Sequence, residues 1–362
     1  MHALSFHAGP RALAHIRANG LRAQDVAIIP AAAGGPKGLI FQSLDQWLFG
    51  SWLAQAPRER ALIGASIGAW RMTAACHADP VAAFARLGEL YVGQRYTTAK
   101  PTPQQIDDVC QKLLSDFVGG FEHEVVSHPH HRLHLLTVRG RRGLADPAHR
   151  RAEITGFMAA TLLNLASRAR LAHMLERVVV SAGPSAPPWM AQRFDSFNTH
   201  FSELNAGNLG SALLASGTLP LIMKAVRSIA GAPAGTYWDG GIIDYHLALP
   251  YSRLAPGELV LYPHFDEHIV PGWLDKAMPW RRAARGENRG WLDNVIIAAP
   301  TPAFLSTLPR RKLPDRQDFK HYGLDHDARI AHWKQSIGEG QRLRDEFAAF
   351  AAHPDISRIK AI

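Results

Sequence analysis

Ser66 has the clearest chemical opportunity in the chain. It lies in Ala61-Leu-Ile-Gly-Ala-Ser-Ile-Gly-Ala-Trp70, a short apolar run that stops at Gly64-Ala65-Ser66-Ile67-Gly68 and continues through Trp70, Met72, Ala74, Ala75 and Cys76. The pattern reads as strand, sharp turn and helix. A serine on such a turn is held in a strained backbone with its hydroxyl above the sheet edge, and flanking glycines remove the Cβ atoms that would clash there. The positive end of the following helix points at the serine and favours negative charge developing beside it. The implied chemistry is nucleophilic attack, although Gly-x-Ser-x-Gly alone also describes an ordinary strand-to-helix turn.

Three further stretches could serve such a nucleophile. Ala31-Ala-Ala-Gly-Gly-Pro-Lys-Gly38 follows the apolar strand Asp25-Val-Ala-Ile-Ile29. Leu39, Ile40, Leu44, Trp47 and Leu48 then keep a helical period, so the loop opens a helix and exposes backbone N–H groups to an anion or a developing oxyanion. The loop lacks the spacing of a P-loop and of a dinucleotide fingerprint. Asp239-Gly-Gly241 ends a strand over Thr236–Ile243, and Ala215-Ser-Gly-Thr-Leu-Pro220 closes a helix that ends near Gly217. Histidines offer a competing arrangement. Ser66, Asp239 and then His246 or His264 have the chain order of an α/β-hydrolase triad, but no spacing singles out one histidine. His128-Pro-His-His131 with His134 suggests metal ligands, yet lacks paired cysteines or a His-Glu-x-x-His helix and reads better as a solvated loop.

The elements that must position these residues alternate. Helices are expected over about 9–20, 152–175 and 328–351, with an irregular helical region over about 80–130 broken by Pro101 and Pro103, where a lid could lie. Further strands are expected at Leu133–Val138, Arg177–Ser181, Glu258–Tyr262 and Asn294–Ala298. Strands alternating with helices imply an α/β fold with a mostly parallel sheet covered on both faces. The only linker-like stretch is the Pro- and Arg-rich segment around 300–316.

Taken in order, Gly34-Gly-Pro-Lys-Gly38, Gly64-Ala-Ser-Ile-Gly68, Ala215-Ser-Gly-Thr-Leu-Pro220 and Asp239-Gly-Gly241 resemble the patatin-like phospholipase family. The resemblance spans about 25–250, and residues beyond 250 match only as generic α/β chain. It implies a three-layer patatin-like fold formed by one domain over 1–362, with a strand-and-helix extension over about 251–362. It also implies a Ser66–Asp239 dyad without histidine, in which Ser66 forms an acyl-enzyme and Asp239 takes its proton, and an oxyanion loop at Gly34, Gly35, Pro36, Lys37 and Gly38. A carboxylate can replace imidazole as the base only if burial raises its pKa toward neutrality. The family often has an asparagine shortly after Asp-Gly-Gly, whereas Asp244 and His246 follow here, so the groups supporting Asp239 need to be different ones. The implied substrates are lipid carboxyl esters, cleaved in the manner of a phospholipase A or lysophospholipase, with no cofactor and no metal. A carboxylesterase, thioesterase or polyester depolymerase using the same dyad, or a lipid-binding protein without turnover, are the alternatives.

Composition is compatible with this reading. The 362 residues suffice for a large core, hydrophobic residues make up 47%, and no apolar run approaches the roughly 18 residues of a membrane span. The N-terminus lacks the pattern of a signal peptide, and Cys76 and Cys110 imply no disulfide framework, so a cytoplasmic protein is expected. The formal charge of +9 is scattered in small clusters, Arg139 to Arg142, Arg281 with Arg282 and Arg285, and Arg310 to Lys312. None carries the aromatics of a nucleic-acid module, so a basic surface able to meet anionic membranes peripherally is favoured over nucleic acid.

Overall fold

The computed structural model describes residues 2–183, 186–282 and 288–362. Arg285 of the second basic cluster lies outside them. The fold is α/β, with helices on both faces of a ten-stranded, mostly parallel sheet. The strands are β1 (Leu4–Ala8), β2 (Val26–Ala31), β3 (Arg60–Ala65), β4 (His131–Gly140), β5 (Leu175–Ser181), β6 (Thr199–Glu203), β7 (Tyr237–Asp239), β8 (Leu259–Pro263), β9 (Val295–Pro300) and β10 (Ile359–Ala361). Their spatial order is β10-β1-β9-β8-β2-β3-β4-β5-β6, with β7 pairing separately on β4.

The centre of the sheet follows from its composition. Every residue of β2, β5, β8 and β9 is buried, as expected for short apolar strands with helices on both sides. β1, β6 and β10 were not expected from the sequence. β6 and β10 are the two edges, short and carrying polar or charged residues that blunt an exposed edge, and so they lack the apolar signature of the interior strands. β8 and β9, both beyond residue 250, lie between β2 and β1. That C-terminal chain completes the sheet beside the strand that leads into the glycine-rich loop.

Three expected helices are divided. The segment after the glycine-rich loop runs as a 3-10 helix (Gly35–Phe41), an α-helix (Gln42–Trp47), a π-turn (Leu48–Trp52) and a final 3-10 turn. The helix over 152–175 runs as Arg150–Ala166 and Arg168–Leu171, with Ser167 extended between them. The C-terminal helix runs as His326–Glu339 and Gln341–Ala352. The break falls at Gly340, where a Cβ would lie 2.3 Å from the carbonyl oxygen of Ile40, so the helix comes against the backbone of the loop region. The stretch around 300–316 is not a linker. Thr301 caps the helix Pro302–Leu305, and Lys312 is fixed by ion pairs of 2.8 Å to both Asp315 and Asp318.

Candidate active site

The turn at Ser66 is made by close backbone contact. Ser66 closes β3 with φ 56° and ψ −130°, in the region L-residues rarely occupy, and the helix Ile67–Ala74 follows at once. A Cβ on Gly64 would lie 2.5 Å from the Ala69 nitrogen, and one on Gly68 only 1.8 Å from the Ala31 carbonyl oxygen. Both glycines are therefore required sterically. Arg71 on that helix donates twice to Asp45, at 2.8 Å each and out of solvent, which ties the helix after Ser66 to the helix after the glycine-rich loop.

The third motif is the clamp that brings Ser66 and Asp239 together. The Ser66 amide donates to the Ser216 carbonyl at 3.1 Å and to the Ser216 hydroxyl at 3.0 Å, while that hydroxyl donates to the Leu136 carbonyl at 2.7 Å. Two residues later the Thr218 carbonyl accepts from the Asp239 amide at 2.8 Å. β4 supplies the register, because Ala65 lies opposite Leu136 and Asp239 opposite Thr137. Neighbouring residues of one strand thus index the serine and the aspartate. Thr137 reinforces the second by donating from its hydroxyl to the Trp238 carbonyl at 2.7 Å.

Ser66 and Asp239 line one cavity of about 220 Å³ together with Gly34, Lys37 and Gly241. Asp239 is buried, and its Oδ1 accepts from the Gly241 amide at 2.7 Å. Burial raises its pKa above the ordinary carboxylate value, against the opposing influence of Arg316, the Ser66 hydroxyl, the Gly241 amide and Lys276. The Ser66 hydroxyl is thus among the groups that favour the charged carboxylate, and the two side chains share the cavity.

The glycine-rich loop divides its roles. A Cβ on Gly34 would meet the Phe265 ring at 2.6 Å, and Gly35 has φ 58°, so both positions favour glycine. The first N–H groups of a helix have no partner inside it, and the 3-10 helix begins at Gly35. Pro36 is buried and has no N–H to donate, so within the loop it shapes the backbone. Gly38 likewise serves packing, since its Cβ would come within 3.1 Å of Arg71 and 3.3 Å of Ile67. Lys37 is half-buried in the cavity wall with its ammonium 5.0 Å from the centre of the Phe265 ring, and burial lowers its pKa against the attraction of Asp266 and Asp315.

The histidines are placed elsewhere. No histidine lines the cavity of Ser66 and Asp239 among the described residues, which corrects the triad arrangement. His246 is buried, takes the Val270 amide on Nδ1 at 3.0 Å and packs against His264, with centroids 4.2 Å apart. The solvated-loop reading of the other group holds only in part, because His131 and His134 are buried in β4. His131 Nδ1 lies 3.0 Å from the Ala75 carbonyl and His134 Nδ1 2.8 Å from the Ser181 hydroxyl. Among the described residues no group of three or more His, Cys, Asp or Glu is placed to hold a metal.

Asp244, in the position that raised the question of support for Asp239, is turned away from it. It accepts from Arg177 at 2.6 and 2.8 Å, and Arg177 also donates to Asp195 at 2.7 Å. Support for Asp239 comes instead from Gly241, Thr218 and the pairing with β4.

Sequence reasoning missed the residues that the chain beyond 250 contributes. Trp273, Lys276, Asp315 and Arg316 line the same cavity. Among the described residues, none of Lys37, Lys276 and Arg316 pairs with a carboxylate. Burial, with Lys37 and Arg316 nearby, lowers the Lys276 pKa to about 8 against the attraction of Asp239. The only available signal was a lysine and an arginine in proline-rich surroundings, which says nothing about facing Ser66.

A second cavity of about 270 Å³ adjoins the first and is mainly apolar, lined by Ile67, Trp70, Ile106, Leu113, Leu214 and Met223. Ser66, Leu219 and Arg316 border both. Ser66 therefore stands at the junction of a chamber rich in basic side chains and an apolar one. No protein-family model matches the chain, and no curated protein matches it.

Proposed function

We propose that the chain is a serine acyl hydrolase that cleaves lipid carboxyl esters, of phospholipase A or lysophospholipase type, through a Ser66–Asp239 dyad. The observation that carries this reading is the junction itself. A strained serine faces a buried aspartate of raised pKa between an apolar cavity suited to an acyl chain and a cavity suited to the polar remainder of the substrate.

In the proposed reaction the Ser66 hydroxyl attacks the ester carbonyl while Asp239 accepts its proton. Amides at the start of the glycine-rich helix receive the oxyanion, helped by the Ile67 amide at the first position of the nucleophile helix. Ser66's own amide is already engaged by Ser216 and cannot serve. The protonated aspartate returns its proton to the leaving alcohol. Water, deprotonated by Asp239, then releases the fatty acid from the acyl-enzyme. We place the activity in the cytoplasm; among the described residues no helix is long and apolar enough to cross a membrane.

The test is hydrolysis of chromogenic acyl esters of increasing chain length, alongside labelling by a fluorophosphonate. Labelling of the wild type that is lost in Ser66→Ala, with turnover that improves from short to medium chains, is the expected result. A folded wild type that neither labels nor turns over any ester would reject the reading.

A further inference from the structure

The helix Arg150–Ala166 turns two unlike faces outward and inward. Gly156, Ala160 and Asn164 are buried, with Phe157 and Leu163 packed on the core beside Trp238. Met158, Leu162 and Leu165, spaced as one helical stripe, are instead 60, 65 and 56% exposed. Single exposed apolar residues are unremarkable, but a stripe is not.

The stripe is fastened to the mouth of the site at both ends. Near its start, Glu153 accepts from the Leu221 amide at 3.0 Å, in the loop that carries Leu219 and the exposed Ile222, both lining the apolar cavity. Near its end, Asn164 donates to the buried Asp275 at 2.9 Å, while Arg168 and Arg281 pair with the same carboxylate at 2.8 and 3.0 Å. Asp275 belongs to the segment that carries Trp273 and Lys276, which line the cationic cavity, and Trp280, which is 68% exposed. Apolar stripe, two exposed tryptophans and the cavity mouth thus share one framework.

We infer that this face adsorbs to anionic lipid bilayers and presents the cavity mouth to them. Charge decides between an anionic and a neutral surface. Lys276 and Arg316 stand at the mouth without a carboxylate partner among the described residues, and Arg150 and Arg151 open the helix. Tryptophans with one apolar and one polar edge suit the headgroup level, and each basic residue held near an anionic surface adds attraction that salt weakens. The inference rests on the acyl-hydrolase reading only for its purpose, because adsorption requires no turnover.

The experiment uses the full-length Ser66→Ala protein, sedimented with vesicles of phosphatidylcholine alone or mixed with phosphatidylglycerol. Partition at least tenfold stronger onto the anionic vesicles, weakened by raised salt and accompanied by a blue shift of tryptophan emission, is expected. Met158→Glu with Leu162→Glu is expected to weaken partition at least tenfold. In an otherwise wild-type chain the same pair is expected to leave hydrolysis of a short water-soluble ester unchanged, which also reports that the variant folds. Trp280→Ala offers a milder second probe, with a severalfold loss. Equal partition onto both vesicle types, no partition, or unchanged partition in both variants would overturn the proposal. So would a wild-type dimer that Met158→Glu with Leu162→Glu dissociates, since the stripe would then be covered by a second copy. Failure of ester hydrolysis in the wild type would count against the hydrolase reading and leave the partition result standing.

Discussion

Asp239 and Asp244 sit in the same turn, both buried, yet they occupy opposite electrostatic situations. Asp244 meets the Arg177 guanidinium along both of its oxygens. Asp239 accepts from the Gly241 amide, with the Ser66 hydroxyl, Arg316 and Lys276 in the same cavity. A carboxylate bonded through both oxygens to arginine has its lone pairs satisfied and its position fixed, whereas burial with few donors pushes Asp239 toward taking a proton. The first braces the turn. The second is the one that the proposed mechanism uses as its base, with its neighbour's tight pairing holding the turn in place.

Substitutions should separate the two regions cleanly. The largest effect expected is on Ser66→Ala, with kcat for ester hydrolysis falling by at least about 10³-fold while the far-UV circular dichroism spectrum is retained. Asp239→Asn should lower kcat by about 10²–10⁴-fold, the range expected for removing a positioned general base. Its resistance to urea should be unchanged or improved, since it removes a buried carboxylate that is poorly compensated. Asp244→Asn should show the reverse. Weakening a buried, doubly bonded ion pair costs about 3–5 kcal/mol, read as a lower urea midpoint, with turnover per folded molecule largely kept. Equal losses of stability in the two variants would erase the contrast.

pH sharpens the same comparison. Because the Asp239 pKa is raised in the folded state and the base must be deprotonated, kcat/KM should fall as pH drops through a value above the ordinary carboxylate range. The stability sign is opposite. A carboxyl that holds its proton more tightly when folded contributes stability that is lost as pH rises through its folded pKa, and Asp239→Asn should flatten that slope in urea titrations across pH. The smallest effect expected is that of Ser216→Ala. It removes the hydroxyl that bridges the Ser66 amide to Leu136, at a cost of about 1–3 kcal/mol in stability, while the Ser216 carbonyl still holds the turn.

Much of this was legible in the chain because it depends on local backbone chemistry. An apolar strand ending in Gly64-Ala-Ser-Ile-Gly68 can turn into a helix only where Cβ atoms are absent, and the close contacts at Gly64 and Gly68 have that cause. The buried strands β2, β8 and β9 announced themselves by apolar runs, and β5 by Val178 to Val180. Edge strands β6 and β10 did not, since an edge is stabilised by polar residues that also suit loops. Pro36 shows the limit within a motif, because a residue type can match while lacking the N–H that its expected role needs.

By itself the sequence determined the α/β alternation, the turn that strains Ser66 and the aspartate at the end of β7, all consequences of steric and hydrophobic rules acting over a few neighbouring residues. Only the tertiary structure decided that Ser216 and Thr218 hold both Ser66 and Asp239, that Asp244 turns to Arg177, and that Lys276 and Arg316 reach the cavity from the chain beyond residue 250. Such contacts join segments distant in sequence. They arise from strand register and the packing of the whole sheet, and no local pattern of residue types encodes either.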